Sequence, residues 1–256
     1  MSVEKLPASA KKSGWRSQIL QLLAIVLAVF LAKGAIAEPF YVPSGSMEPT
    51  LKIGDAILAS KFPYGYGTAS LPMQINLPET KRLFGEMPKR GDVVVFRWPG
   101  DTSQAWVKRV VGLPGDRIQM QEGRLFINGR PVKLKPDGIG EAEDDNGGRQ
   151  PAYRFIETLP NGVSHLIFKM HDNGELDNTA EVTVPPGHLF VLGDNRDNSA
   201  DSRVPLRDGG VGLLPVDNLI GRADAVVGSW DLGIRHQPVS TWLSGFRLAR
   251  FFTKVH

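Results

Sequence analysis

The chain has no cysteine among its 256 residues. That excludes a disulfide framework and any cysteine-based metal or redox site. Histidine is scarce, and the five at positions 165, 171, 188, 236 and 256 show no metal-ligand spacing of the HExxH kind. No structural zinc, metal or other cofactor is expected. Charge of one sign is also lacking: the net charge is only +3, which argues against a dedicated nucleic-acid binder. The nucleophile-elbow pattern G-x-S-x-G is absent, and there is no internal repeat.

What remains is a globular composition, 41% hydrophobic and 22% charged, long enough for one large domain or two modest ones with a real core. There is one long apolar run. Ile19 to Ala32 is fourteen residues with Gln21 the only polar one, and extension through Lys33 to Ala37 brings it to nineteen. A membrane-spanning helix needs about 20 such residues, and Lys33 is placed to snorkel to the interface. Residues 1–17 carry Lys5, Lys11, Lys12 and Arg16, so the positive-inside rule keeps the N-terminus cytoplasmic and exports the body. The same basic, apolar and Ala35-Ile36-Ala37 order also fits a cleavable signal peptide. Either reading exports the body. A buried core helix fits less well, because few helical patterns follow for it to pack against.

From Glu38 onward the signals are strands and turns. Short apolar runs at 56–59, 92–97, 105–111, 118–121, 124–127, 153–158, 163–170, 181–184, 189–192 and 222–229 predict strands. Glu122-Gly123, Asn128-Gly129 and Pro160-Asn161-Gly162 mark hairpin turns. Phe62 to Gly91, rich in Pro and Gly, reads as an extended loop or irregular hairpin. Gly138 to Gln150, acidic and Gly-rich, reads as a mobile loop. The segment 240–256 mixes Trp242, Leu243, Phe246, Phe251 and Phe252 with Arg247, Arg250 and Lys254. It suits an interfacial segment on anionic lipid, or else a C-terminal helix packed on the body or a frayed tail.

Three stretches stand out chemically. Pro43-Ser44-Gly45-Ser46-Met47-Glu48-Pro49-Thr50-Leu51 holds two serines in a segment constrained by prolines and freed by a glycine, suited to presenting a hydroxyl. Lys108 sits between Trp106-Val107 and Val110-Val111. If it points inward, desolvation disfavours its ammonium and the neutral amine becomes a base for a serine; if outward, it is an ordinary solvated strand lysine. Gly193-Asp194-Asn195-Arg196-Asp197-Asn198-Ser199-Ala200-Asp201-Ser202-Arg203 follows a strand and is dense in residues that bond their own backbone, as any turn is. Ser9-Ala10-Lys11-Lys12 matches S-x-x-K by letters only and lies in the polar N-terminal tail. None of the histidines sits in a stretch that resembles a site.

PSGSMEPTL, RGDVVVF, WVKRVVGLPGD and GDNRDNSADSR, in this order after an apolar N-terminal segment, resemble the bacterial type I signal peptidases (leader peptidases). The four boxes span positions 43 to 203. The resemblance implies a Ser/Lys serine protease with Ser46 as nucleophile and Lys108 as general base. It implies an oxyanion hole from the Ser44 hydroxyl and the Ser46 backbone N–H. Ser199 would orient the lysine amine, Asp201 and Arg203 would form a supporting ion pair, and Arg109 and Asp194 would give further support. The implied substrates are exported preproteins, cut after small-x-small sequences such as Ala-x-Ala and bound as an added strand. The implied place is the bacterial inner membrane, single-pass, with the N-terminus cytoplasmic and the catalytic part extracytoplasmic. The resemblance favours the anchor over the cleaved signal, and leaves Ala35-Ile36-Ala37 a candidate self-cleavage site. The cysteine pair and second membrane span of some members are absent.

The expected fold is mostly β, an antiparallel β-sheet catalytic core with an inserted smaller β domain, preceded by one N-terminal transmembrane helix. The expected division is a cytoplasmic tail 1–17, an anchor 18–37, core 38–117, inserted β cap 118–186, core 187–234 and a basic amphipathic tail 235–256. The rivals are a self-cleaving Ser/Lys peptidase of the repressor type and a membrane-tethered binding protein that keeps the fold without activity.

Overall fold

Residues 14–70, 82–143 and 148–255 are described by the computed structural model of the protein. The S-x-x-K letters at 9–12, most of the polar N-terminal tail, part of the 62–91 loop, the centre of the 138–150 loop and His256 lie outside them. A helix, α1, runs from Trp15 to Ala35, and its large apolar side chains are exposed from Ile19 to Val29. Among the described residues, no helix is long and apolar enough to cross a membrane.

After α1 the chain is strands and turns. The first four strands are β1 (Ala37–Tyr41), β2 (Asp55–Ser60), β3 (Val93–Trp98) and β4 (Asp101–Gly112). Then come β5 (Arg117–Gln121), β6 (Arg124–Ile127), β7 (Arg130–Pro131), β8 (Lys133–Glu143), β9 (Arg149–Thr158), β10 (Ser164–Lys169) and β11 (Val182–Thr183). The last are β12 (His188–Leu192), β13 (Leu214–Pro215), β14 (Leu219–Ser229) and β15 (Thr253–Lys254). The fold is therefore mostly β, with antiparallel pairing between its strands.

An eight-stranded sheet has the order β1-β2-β14-β3-β4-β12-β13, with β15 added to β14. It joins strands from both ends of the sequence. The middle of the chain builds two smaller sheets, β11-β5-β6-β7 and β10-β9-β8. β3 is buried on both faces of the large sheet. Its run VVVFRW has no polar alternation: Val93 and Val95 join one apolar cluster with Met47, Leu51 and Ile57, while Val94 and Phe96 join another with Val110, Leu189 and Val191. The hairpin turns expected between β5 and β6 and between β6 and β7 are present. Glu122-Gly123 and Asn128-Gly129 all take positive φ, the geometry that matches the strand twist.

Two expectations are corrected. The stretch 138–150 is not one loop. β8 continues through Gly138 to Glu143 and pairs with β9, Ala142 opposite Gln150 and Gly140 opposite Ala152. Small residues are needed there because the Phe168 ring packs so closely on Gly140 that an added Cβ would lie 2.8 Å from it. Nor is the C-terminal segment a helix or a detached tail. It forms 3-10 turns and β15, Arg247 Nη1 donates to Ile53 O at 2.8 Å, and Arg250 pairs with Asp55. Two of its basic side chains therefore hold the body, while Leu243, Leu248 and Phe252 are exposed.

Leu51, fully buried beneath the serine-bearing turn with Val42, Met47 and Ile57, tests this core. Leu51→Ala should lower stability by about 2–5 kcal/mol through lost contacts and a residual cavity, read by denaturant unfolding.

Candidate active site

The serine segment leaves β1 at Tyr41 and is pinned at once: Val42 N–H donates to Asp55 O and Gly54 N–H to Val42 O. Ser44 is extended, and Gly45–Met47 form one buried turn of 3-10 helix. Gly45 is required, because the Glu143 carbonyl lies 2.3 Å from where its Cβ would be. This geometry puts the two serine hydroxyls 3.3 Å apart.

Lys108 approaches from β4. On one side β4 pairs with β3, Val94 opposite Lys108. On the other side β12 pairs only as far as Leu192 opposite Arg109. Lys108 is the next residue, so its side chain leaves the sheet where the ladder stops. The amine is buried, lies 2.8 Å from Ser46 Oγ and donates to Val107 O at 3.0 Å. It also sits 5.4 Å from the centre of the Trp106 ring, which stacks on Trp98 at 5.0 Å with planes 3° apart. Trp98 is fixed by its indole N–H on Gly210 O at 2.8 Å. Burial disfavours a charged amine, and a neutral one can accept the serine proton across the same short contact.

The third motif closes the site from behind. Asp194 receives both Nε and Nη2 of Arg109, at 2.8 and 2.7 Å, fully buried. Asp201 receives Nε and Nη2 of Arg203, at 2.9 and 2.8 Å, and also the Gly193 N–H at 3.0 Å. Burial alone would raise both carboxyls, but the paired guanidinium holds each below the usual carboxylate range. Arg109 with Asp194, and Arg203 with Asp201, thus form two buried ion pairs. Ser199 lines the same groove as Ser46 and Lys108, but its buried Oγ has no hydrogen-bond partner. The bond from Ser199 to the lysine amine that the resemblance implies is not made here.

The groove is about 590 Å³ and runs between Phe40 and Tyr41 of β1 and the free edge of β4 from Gln104 to Lys108, with Ile57 and Val95 on its floor. Among the described residues, no cluster of His, Asp and Glu is arranged to hold a metal.

Several residues here were not singled out from sequence. Asn195 donates its backbone N–H to Ser46 O at 3.1 Å and its amide to Gly45 O at 3.3 Å. It lay within a motif already noted, but only the fold shows which carbonyls it meets. Glu48, two residues after Ser46, is buried and accepts the Glu143 N–H at 2.8 Å. Burial pushes its carboxyl up from 4.5 to about 7, against that hydrogen bond and with the Glu143 charge adding to the rise. An acid raised in the folded state favours folding while protonated. Its contribution is full below the unfolded value and is lost as pH rises through about 7. Glu48→Gln should therefore raise Tm relative to the parent by more at about pH 8 than at about pH 5. Equal differences at the two pH values, read by thermal unfolding, would contradict a buried ionising carboxyl.

Over most of its length the chain is similar to proteins of one family. The family model described as "Signal peptidase, peptidase S26" matches residues 15–230. The signal peptidase I of Rickettsia typhi (strain ATCC VR-144 / Wilmington) is 38% identical, covering 86% of this chain and 86% of its own. That of Rickettsia akari (strain Hartford) is 34% identical over 97% of this chain and 94% of its own. The crystal structure of a signal peptidase I from Enterococcus faecalis V583 is 27% identical over 54% of this chain and 97% of its own, at a TM-score of 0.33. Over most of its length, then, this chain belongs to the signal peptidase family, peptidase S26, and is a serine endopeptidase.

Proposed function

We propose that the protein is a membrane-bound endopeptidase that removes N-terminal signal peptides from exported preproteins, cutting after small-x-small sequences such as Ala-x-Ala. The observation that carries the reading is the 2.8 Å contact between the buried Lys108 amine and Ser46 Oγ at the floor of an open groove. Neutral Lys108 takes the Ser46 proton as Oγ attacks the scissile carbonyl. The Ser44 hydroxyl and the Ser46 N–H donate to the oxyanion. Lys108 then protonates the leaving amine, and Ser46 is left acylated by the signal peptide. Lys108 next takes a proton from water, which attacks the ester, and returns it to Ser46. Ser199, with its unpartnered hydroxyl beside the groove, holds the amine once substrate is bound. This is the serine–lysine version of the triad logic.

The free edges of β1 and of β4 on either side of the groove suit a substrate strand laid between them. Phe40, Ile57 and Val95 make its lining apolar, which fits small side chains and turns away large ones on steric grounds. Residues 38–117 and 187–234 act as the catalytic core and 118–186 as an inserted β cap. The nineteen-residue apolar run, and the exposure of the α1 side chains as far as Val29, support a single anchor in the inner membrane with the body on the extracytoplasmic side. The exposed Leu243, Leu248 and Phe252 suit a second, interfacial contact with lipid.

The test incubates the detergent-solubilised protein with an exported preprotein and reads the new N-terminus by mass spectrometry. The expected result is a single cut after Ala-x-Ala, abolished by Ser46→Ala without loss of fold. Turnover surviving that change would remove Ser46 from the mechanism. Lys108→Arg should be equally inactive, because a guanidinium stays charged near neutral pH. Activity should climb toward alkaline pH as the lysine deprotonates, and an optimum near pH 5 would contradict a lysine base.

A further inference from the structure

The motif loop after β12 carries one guanidinium whose bidentate carboxylate partner does not come from that loop or from the large sheet. Arg196 is fully buried. Its Nη1 and Nη2 donate to Glu157 Oε1 and Oε2 at 2.9 and 2.6 Å, a fork-to-fork pair with a residue of β9. Burial alone would raise the Glu157 carboxyl, but the Arg196 charge and the His165 and Arg196 side chains hold it well below the usual range. His165 lies directly opposite Glu157 on β10, and its Nε2 is 3.3 Å from Glu157 Oε2 and 3.8 Å from Asp194 Oδ1.

The same loop completes the three-stranded sheet. β10 is its edge strand, and Phe168 N–H donates to Asp194 O while Arg196 N–H donates to Phe168 O, both at 2.9 Å. Asn195 therefore lies between that edge and the serine turn, where it holds the carbonyls of Gly45 and Ser46. Arg196 is anchored further by donating Nε to Gly193 O at 3.2 Å, and its own carbonyl accepts from Arg203 at 2.6 Å.

We propose that Glu157 is a positioning residue for the nucleophile: it fixes Arg196, and through Arg196 holds Asn195 against the Gly45 and Ser46 carbonyls. This sets the direction of the Ser46 N–H and the height of its hydroxyl below Lys108. The inference rests on the reading of Ser46 and Lys108 given above. The three-stranded sheet is then part of the catalytic apparatus.

The test measures preprotein cleavage and thermal unfolding of the full chain in detergent, for the parent, for Glu157→Gln and for the double variant Glu157→Met with Arg196→Met. Displacing a reacting group by about 1 Å can cost about 100-fold in rate. Glu157→Gln should lower kcat by about 10- to 100-fold with little change in KM, and should lower Tm because a buried guanidinium loses its counter-charge. In the double variant no buried charge is left unpaired, so Tm should return toward the parent while kcat stays low. Recovery of kcat together with Tm would show Glu157 to be merely structural and overturn the proposal, as would a parental kcat in Glu157→Gln. If Glu157→Gln does not fold, the double variant decides: low kcat at parental Tm sustains the proposal, and parental kcat ends it. A parent that cuts no preprotein would instead sink the reading of Ser46 and Lys108.

Discussion

The site depends on where the hydrogen-bond ladder of β4 stops. At Arg109 the strand is paired on both sides and buried; from Lys108 toward the β3–β4 turn, the side away from β3 is free to form the groove. Adjacent residues of a strand project oppositely. One cation therefore enters a buried ion pair with Asp194, and its neighbour reaches the serine. The residue types match these places. Arginine cannot shed its proton and suits a permanent structural charge, whereas lysine can be made neutral by burial and suits a base.

Behind Ser46 and Lys108, the loop 193–203 is held by charge. Arg109, Arg196 and Arg203 are buried with Asp194, Glu157 and Asp201 as their carboxylate partners. Such pairs add little net stability when whole, but loss of one member costs about 3–5 kcal/mol, so they enforce one arrangement. The carboxyls of all three acids lie below their ordinary values. Their contribution is present above the unfolded carboxylate range and is lost as pH falls through the folded values, which opposes the trend set by Glu48 at the other end of the scale.

The three-stranded sheet reaches the serine turn twice. The end of β8 lays the Glu143 carbonyl against Gly45 and gives its N–H to Glu48. β9 and β10 hold the loop that carries Asn195. The serine turn is thus enclosed between two sheets built from distant parts of the chain, which leaves its carbonyls bonded and its hydroxyl facing the groove.

Much of this was legible in sequence because it is local. Apolar runs gave most of the long strands but not β1 or β8, Glu122-Gly123 and Asn128-Gly129 gave two turns, and the four ordered motifs hold Ser46, Lys108, Arg109, Asp194, Asp201 and Arg203. The stretch 138–150 misled because glycine and acidic residues mark loops only when no strand lies beside them, and here β9 does. Ser199 was assigned a bond to the amine that depends on side-chain rotation, which spacing does not encode. Glu157 and His165 sit symmetrically about the Pro160-Asn161-Gly162 turn, so hairpin register alone pairs them. That Glu157 faces Arg196 is another matter. By itself the sequence determined which residues are chemically able to act and which apolar segments are strands, since both follow from side-chain type and local periodicity. Only the tertiary structure decided which buried charges meet and where β4 loses its partner, because those depend on contacts between segments far apart in the chain.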